Sequence, residues 1–326
     1  MTRKKPASGQ NRVEIAAQIP RCRVLRLQRI ARVAGAGNAA PQIGGDVTDF
    51  LITGGTGSFG RAFVTRLLTR TDAGRIAIYS RDEAKQWRMR QDFRDHPRLR
   101  FFIGDVRDQA RLRRAFSGID VVVHAAALKR IEVGAYNPLE MVKTNVIGAM
   151  NVVEAAMDAG VEKVVALSTD KAYQPISPYG QSKALAEAIF LSSNNARGVD
   201  GPHFAVTRYG NVAGSNGSVI PLWRELIDRG EHVTVTDHEC TRFWMDMSEA
   251  VDLVFSAINA MPQDPLIPLL PAYRLDDLLT AMGVVDFIEI GLPTHEKLHE
   301  CMALGNCSNT ARRLTVDELR ERLKML

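Results

Sequence analysis

The sequence predicts an α/β protein: a doubly wound parallel sheet with a smaller C-terminal lobe. Three observations carry this. Short apolar runs alternate with helical patterns from Asp49 to about Arg208; a glycine-spaced turn follows the first run; and two sets of acid/base groups crowd between Ser168 and Lys183. Right-handed crossovers between parallel strands then fix the winding.

The first strand is Phe50-Leu51-Ile52-Thr53, followed at once by Gly54-Gly55-Thr56-Gly57-Ser58-Phe59-Gly60 and a helical pattern through Leu68. Glycines at 54, 57 and 60 let the backbone turn tightly, approach a pyrophosphate and pack the helix on the sheet, while the helix N-terminus offers N–H groups to phosphate. Ser58 and Phe59 line the same turn. The next strand, Ile76 to Tyr79, ends in Ser80-Arg81 with Lys85 close behind. An acidic residue there would bond the adenosine ribose, whereas a guanidinium and an ammonium match a 2′-phosphate, so the expected cofactor is NADP. Asp82 and Glu83 follow immediately and argue for NAD.

A third strand, Arg100 to Ile103, leads into Gly104-Asp105-Val106, where Asp105 and Val106 are expected at the adenine, although a lone Asp is also a common helix cap. Val121-Val122-Val123 runs into His124-Ala125-Ala126-Ala127, a small-residue turn that places Ala125 and Ala127 beneath the cofactor. Lys129 follows, within reach of phosphate or sugar. A helix from near Pro138 carries Asn145.

The run Val164 to Leu167 ends in Ser168-Thr169-Asp170-Lys171, and Tyr179-Gly-Gln-Ser-Lys183 opens a helix to about Asn194. Tyr179 and Lys183, at i and i+4, share one helix face, where the ammonium is expected to lower the phenol's pKa. Such a phenol takes a proton from an alcohol while hydride leaves the same carbon. Ser168 or Thr169 adds a hydroxyl at the carboxyl edge of the sheet, where open α/β folds bind ligands. After the strand Phe204 to Thr207 come Asn211 and Val212, then Ser215 and Ser218 in a Gly-rich loop suited to close backbone approach, and Arg242, whose planar fork suits a diphosphate. A helix near Pro221 to Arg229, a strand His232 to Thr236 and a helix Ser248 to Ala260 complete the lobe.

From about Asp49 to Glu300 the chain resembles the extended short-chain dehydrogenase/reductases of the Rossmann type. Within them it is most similar to the UDP-N-acetylglucosamine 4,6-dehydratases that invert C5. The resemblance rests on TGGTGSFG (Thr53 to Gly60), YSRDEAKQ (Tyr79 to Gln86), GDVRD (Gly104 to Asp108), HAAALKR (His124 to Arg130), YNPLEMVKTNVIGAMNV (Tyr136 to Val152), LSTDKA (Leu167 to Ala172), RYGNVAGSNGSVIPL (Arg208 to Leu222) and TRFWM (Thr241 to Met245). It implies that Tyr179 with Lys183, helped by Thr169, drives oxidation at C4, that Lys171 as a free amine removes the C5 proton, and that Asp170 donates to the departing C6 hydroxyl. It further implies NADP contacts at Gly54, Gly57, Ser58, Phe59, Gly60, Ser80, Arg81, Lys85, Asp105, Val106, Ala125, Ala127, Lys129, Tyr179, Lys183 and Val212. UDP-sugar contacts fall to Lys129, Asn211, Ser215, Ser218 and Arg242. Asn145 matches a helix asparagine that orders water near the Tyr-Lys pair, and relatives assemble through helices beside the Tyr-Lys helix, so a homo-oligomer is expected.

Hexose 4-epimerases need only the hydroxyl, Tyr and Lys, so Asp170-Lys171 is the discriminating pair. A C4 or C5 epimerase and a non-catalytic NADP-binding regulator remain as alternatives. Against the pattern, Gly291 to Glu300 lacks the Arg and second Gly of the family's Gly-x-Arg-Pro-Gly-Glu-Lys-Leu-x-Glu. The stretch Pro262 to Pro271 is proline-rich and short, and Tyr173, Gln174, Pro178 and Gln181 are unexpected between Lys171 and Lys183.

The 326 residues suffice for a doubly wound core plus a lobe, and no run reaches the roughly twenty apolar residues of a bilayer span. A cytoplasmic enzyme without membrane or nucleic-acid partners is expected. Cysteines at 22, 240, 301 and 307 form no CxxC pair and have no His cluster beside them, so neither metal nor disulfide is expected and the thiols should be reduced. Residues 1–45 hold nine Arg or Lys against one Glu, a net of +8 where the whole chain is +5, so the body is near −3 and the basic balance does not mark a nucleic-acid surface. The basic segment reads as an organelle-targeting helix, an RNA-binding arm or, foremost, sequence added by a misassigned start, with Val47 a candidate initiator position. The expected division is residues 1–48 as a disordered or extraneous extension, 49–209 for the cofactor, and 210–326 for the nucleotide sugar, interleaved with late sheet strands.

Overall fold

A computed structural model describes residues 48–326. The expectations for the basic extension lie outside the described residues. The chain runs β1 (Phe50–Thr53), α1 (Ser58–Arg70), β2 (Ile76–Ser80), α2 (Glu83–Asp92), β3 (Leu99–Ile103), α3 (Gln109–Phe116), β4 (Val121–His124), α4 (Ile131–Tyr136), α5 (Pro138–Met141), a π-helical turn (Val142–Ile147), α6 (Gly148–Ala159), β5 (Lys163–Thr169), a 3-10 turn (Asp170–Ala172), α7 (Pro178–Ala196) and β6 (His203–Tyr209). The six strands form one parallel sheet in the order β3-β2-β1-β4-β5-β6. That order reverses direction between β1 and β4, which opens a crevice at the carboxyl edge.

Alternation along the strands loads both faces. Phe50, Ile52, Ile76, Ile78, Val121 and Val123 pack with Phe63 and Val64 of α1, and Leu51, Ala77, Val122, Val164 and Phe204 pack with Phe116, Val152 and Phe190 from α3, α6 and α7. Period-two side chains buried on both faces are what a parallel sheet between two helix layers requires. Across the crevice, Thr53 Oγ1 and His124 Nδ1 lie 2.8 Å apart, and burial pushes the imidazole down to about 3, so it stays neutral.

The lobe continues with α8 (Val219–Asp228), β7 (Val233–Val235), β8 (Thr241–Phe243), α9 (Met247–Ala260), β9 (Ala272–Arg274), α10 (Leu275–Ala281), β10 (Phe287–Glu289), β11 (Cys301–Ala303), β12 (Asn306–Cys307) and α11 (Val316–Lys324). Helix α9 belongs to the main sheet, since Val251, Val254 and Phe255 join the α1 side of its core. The lobe has a core of its own around Trp223, Trp244, Leu278 and Leu319. Residue 266 bonds along β6, with Leu266 N–H donating to Val206 O at 2.8 Å, so the short proline-rich stretch lies along the sheet edge.

The expectation of reduced thiols is overturned at two of the cysteines. Cys301 and Cys307 form a disulfide across the β11–β12 hairpin, whose register sets the two residues opposite each other. No CxxC spacing announces such a pair, because the turn between the strands sets it. Cys240 is a buried free thiol.

Candidate active site

The glycine turn is shaped by backbone needs. Gly54 has φ +67°, and a Cβ there would lie 2.8 Å from Ala126 N; one on Gly60 would lie 2.4 Å from Gly55 O. Side chains are thereby kept off the path between β1, α1 and the turn after β4. First-turn N–H groups have no partner within a helix, and α1 supplies neither a side-chain cap nor an acidic residue there. This is an anion cradle, and it fits the pyrophosphate of a dinucleotide. Above it, Lys129 Nζ donates to Asn216 O at 2.8 Å and Asn216 N–H donates to Ser58 Oγ at 3.1 Å, tying the Gly-rich loop to the turn. Burial, with Arg130 nearby, lowers the Lys129 pKa.

At the β2 tip, Asp82 caps α2 by accepting from Lys85 N–H at 2.9 Å, and the Lys85 ammonium lies 3.4 Å from the same carboxylate. Asp82 thus caps the helix with one oxygen while its carboxylate stays half-exposed. Ser80 is held by Gln86 Nε2 at 3.0 Å, and Arg81 projects half-exposed toward Asp105 at 3.5 Å. Asp105 is not a cap, a duty that Asp108 performs; its carboxylate accepts from the Arg107 N–H and guanidinium at 2.9 and 2.7 Å. Tyr79 Oη donates to Asp105 O at 2.8 Å and fixes the Gly104–Val106 turn. Ala125 N–H donates to Thr53 O at 3.1 Å, bringing the small-residue turn beside the glycine turn.

The Asn145 side chain is buried and bonded within the protein. It accepts from Leu128 N–H at 2.9 Å and donates to Leu128 O and Ser182 Oγ, each at 2.9 Å. It sits in the π-helical turn, a device common at functional sites, and clamps the segment after β4 to α7.

The acid/base groups meet where β5 ends. Ser177 caps α7 by accepting from Gly180 N–H at 3.1 Å, and Pro178 occupies the first helical turn, where its missing N–H costs nothing. Helix and 3-10 turn are in close contact, since a Cβ on Gly180 would lie 2.3 Å from Lys171 O. Lys183 Nζ donates to Leu167 O at 2.7 Å, and burial lowers its pKa to about 8. The Tyr179 phenol is not lowered as the sequence suggested. Burial pushes it up to about 12, and the opposing pull comes from the Lys171 ammonium and the Thr169 hydroxyl rather than from Lys183, which is drawn to the strand carbonyl.

Asp170 is fully buried and accepts from Thr169 Oγ1 at 3.0 Å. Lys171 Nζ lies 3.2 Å from Asp170 Oδ1 and 3.1 Å from Glu300 Oε1. Burial opposes the Lys171 charge, but the two carboxylates outweigh it and its pKa is raised, so the lysine is an ammonium in the ligand-free protein and not the free amine expected from desolvation. Burial raises the Asp170 pKa against the pull of Lys171, whereas Lys171, Arg242 and Lys297 overcome burial and keep Glu300 ionised. Arg242 is buried beside this group, with Nη1 donating to Thr241 O and Leu298 O at 2.9 and 3.1 Å, so part of its fork is already spent within the protein. Asn211, Val212 and Ser218 line a small cleft with Phe243, Trp244 and Tyr273, and Ser215 N–H donates to Val212 O at 3.2 Å. The Ser218 hydroxyl there is buried without a hydrogen-bond partner among the described residues. Glu300 was the residue not singled out from sequence; its place at the end of the Gly291 to Glu300 segment was the one available signal.

Residues 50–316 match the family described as polysaccharide biosynthesis protein. The chain belongs to that family. The UDP-N-acetylglucosamine 4,6-dehydratase (inverting) of Campylobacter jejuni is 44% identical over 264 residues that cover 80% of this chain and 79% of the relative. A UDP-glucose 4-epimerase of Rickettsia massiliae is 44% identical over 236 residues, 71% of this chain and 69% of that protein. Among solved structures, Pen from Bacillus thuringiensis aligns with a TM-score of 0.80 at 31% identity, covering 86% of this chain and 98% of that one. Within the polysaccharide biosynthesis family the chain is an extended short-chain dehydrogenase/reductase, with the sheet and glycine turn of that group. Among the described residues no helix is long and apolar enough to cross a membrane.

Proposed function

We propose that this protein is an NADP-dependent nucleotide-sugar 4,6-dehydratase acting on UDP-N-acetylglucosamine, giving a 4-keto-6-deoxy sugar with inversion at C5. The supporting observation is the buried Asp170-Lys171 pair beside Tyr179 and Lys183 at one strand end, since a C4 epimerase has no use for a second acid/base set. Residues 49–209 hold the cofactor and 210–326 the sugar nucleotide in this reading. Lys129, Asn211, Ser215, Ser218 and Arg242 face the latter.

When bound, the nicotinamide supplies the acceptor that takes hydride from C4 and returns it to C6. Tyr179, with Lys183 and Thr169, takes the C4 hydroxyl proton. The C4 ketone acidifies C5–H, and Lys171, once it has released its ammonium proton to solvent, accepts the C5 proton; after hydride reaches C6, C5 takes a solvent-derived proton on the opposite face, which sets the inversion. Asp170, whose burial favours the protonated acid, gives its proton to the C6 oxygen, which leaves as water. The NADP reading rests on Arg81 and Lys85 at the β2 tip, with Asp82 capping α2. Exposed Tyr136 of α4, Leu139 of α5, Val142 of the π-helical turn and Leu185 of α7 favour a homo-oligomer through these helices, and a cytoplasmic setting suits a sugar-nucleotide substrate.

A second reading, an epimerase, is favoured by the Rickettsia relative's name. One experiment separates them: incubation with UDP-N-acetylglucosamine in deuterated water without added cofactor, followed by mass spectrometry. Loss of water with one deuteron gained at C5 is the expected result. An unchanged skeletal mass with a new stereoisomer would reassign the protein as an epimerase. Lys171→Ala should cut dehydration by about 10²–10⁴-fold while sparing NADP binding.

A further inference from the structure

Glu300 is brought to the site from a distant part of the chain and is held there firmly. Its N–H donates to Ser308 Oγ at 2.9 Å, and Ser308 N–H donates back to Glu300 O at 2.7 Å. Ser308 Oγ also lies 2.6 Å from Thr241 Oγ1, so the residue is anchored to β8. The next residue, Cys301, is crosslinked to Cys307 across the hairpin. The side chain is only 3% exposed, Oε1 is 3.1 Å from Lys171 Nζ, and the buried Oε2 has no hydrogen-bond partner among the described residues. A carboxylate this buried is retained only against cations, and Lys171 is the nearest of them.

We infer that Glu300 is a positioning residue for Lys171, gripping its amino group from the β11–β12 hairpin and governing when that group carries a proton. The inference rests on the reading of Lys171 as the C5 base. Around Lys171 stand Asp170 on its own turn, Glu300, Lys297 at 3.6 Å from Glu300, Arg242 of β8 with Glu296 behind it, Tyr179 of α7 and Tyr273 of β9. Asp170 and Glu300 both hold the charge on Lys171, and Glu300 is the one of the two that reaches it from outside the Asp170–Lys171 turn. Base catalysis needs the amine, and the rate of C5 proton removal therefore falls as pH drops through the Lys171 titration. Removing the Glu300 charge favours the amine and moves that acid limb to lower pH.

The test is the pH profile of solvent-deuterium uptake at C5 of UDP-N-acetylglucosamine by the full chain. Glu300→Gln should move the midpoint of the acid limb down by at least about one pH unit, a tenfold change in proton affinity. Glu300→Asp, with its charge set back by one methylene, should move it less. A merely structural role predicts lower rates at every pH with the midpoint unmoved, and that result in both variants overturns the inference. Should Glu300→Gln fail to fold, Glu300→Asp decides: a downward shift supports the role and an unmoved limb removes it. Lys171→Ala separates the two readings. If it abolishes uptake while the Glu300 variants leave the limb in place, only the role of Glu300 falls; if it keeps wild-type uptake, both fall.

Discussion

The turn after β1 and the cluster after β5 sit at the carboxyl edge of one sheet and are built in opposite ways. The first is backbone: glycines at 54, 57 and 60 in one contiguous stretch, with helix N–H groups as its chemistry. The second is side chains from four separated places: Thr169 to Lys171, Tyr179 to Lys183, Arg242, and Glu296 to Glu300. A site made of backbone tolerates most changes except an added Cβ. A site made of buried charges depends on every partner's protonation, so a neutral isostere disturbs it without altering its shape.

The largest effect should come from the side-chain site. Tyr179→Phe removes the phenol proposed to take the C4 proton, and turnover should fall by about 10²–10⁴-fold, with no reduced nicotinamide seen in a single turnover. Retention of C4 oxidation would show that another group takes that proton and would dissolve the contrast. Gly54→Ala attacks the other site. The positive φ and the 2.8 Å approach to Ala126 N leave no room for a methyl group, so dinucleotide affinity should collapse and stability should drop by more than about 1 kcal/mol. Calorimetric titration showing normal affinity would mean that the turn is not the phosphate cradle. Gly180→Ala probes the seam between the two kinds of site: its Cβ would lie 2.3 Å from Lys171 O, so α7 must shift off the 3-10 turn. Dehydration should fall roughly tenfold or more while dinucleotide affinity changes less, because α1 and its turn are untouched. Equal losses in both would place Gly180 in the general architecture instead.

The same contrast explains what could be read from the sequence. The glycine turn, the strand alternation and the Tyr-Lys helix are local patterns, and each element lies within a few residues of its expected place. Local spacing could not reveal that Glu300 would meet Lys171, because that contact depends on how the β11–β12 hairpin folds back against the end of β5. It misjudged the protonation of Lys171 for the same reason: desolvation alone predicts an amine, and the Asp170 and Glu300 carboxylates together outweigh it. Tyr179 shows the converse error, since its i+4 lysine is real but is hydrogen-bonded to Leu167 O. The Cys301–Cys307 bridge and the Asn145 clamp likewise follow from register and from a π-helical turn, features that composition does not signal.

The smallest effect belongs to the cofactor's far end. Arg81 is half-exposed and now drawn toward Asp105 at 3.5 Å, so it must exchange that partner for a 2′-phosphate. Charge-assisted bonds to phosphate are worth roughly 1.5–3 kcal/mol, and exposure and salt take part of that away. Arg81→Ala should therefore weaken NADP by about tenfold and leave NAD nearly unchanged, with the difference shrinking as salt is raised. Affinities for both dinucleotides, measured at two ionic strengths, check this. An equal loss for both would mean that Arg81 serves only the Asp105 turn, and the choice of cofactor would then rest on Ser80 and Lys85. A tenfold loss confined to NADP would show a third kind of site on the same sheet edge: side chains as in the β5 cluster, but exposed, with energies set by solvent screening rather than by burial.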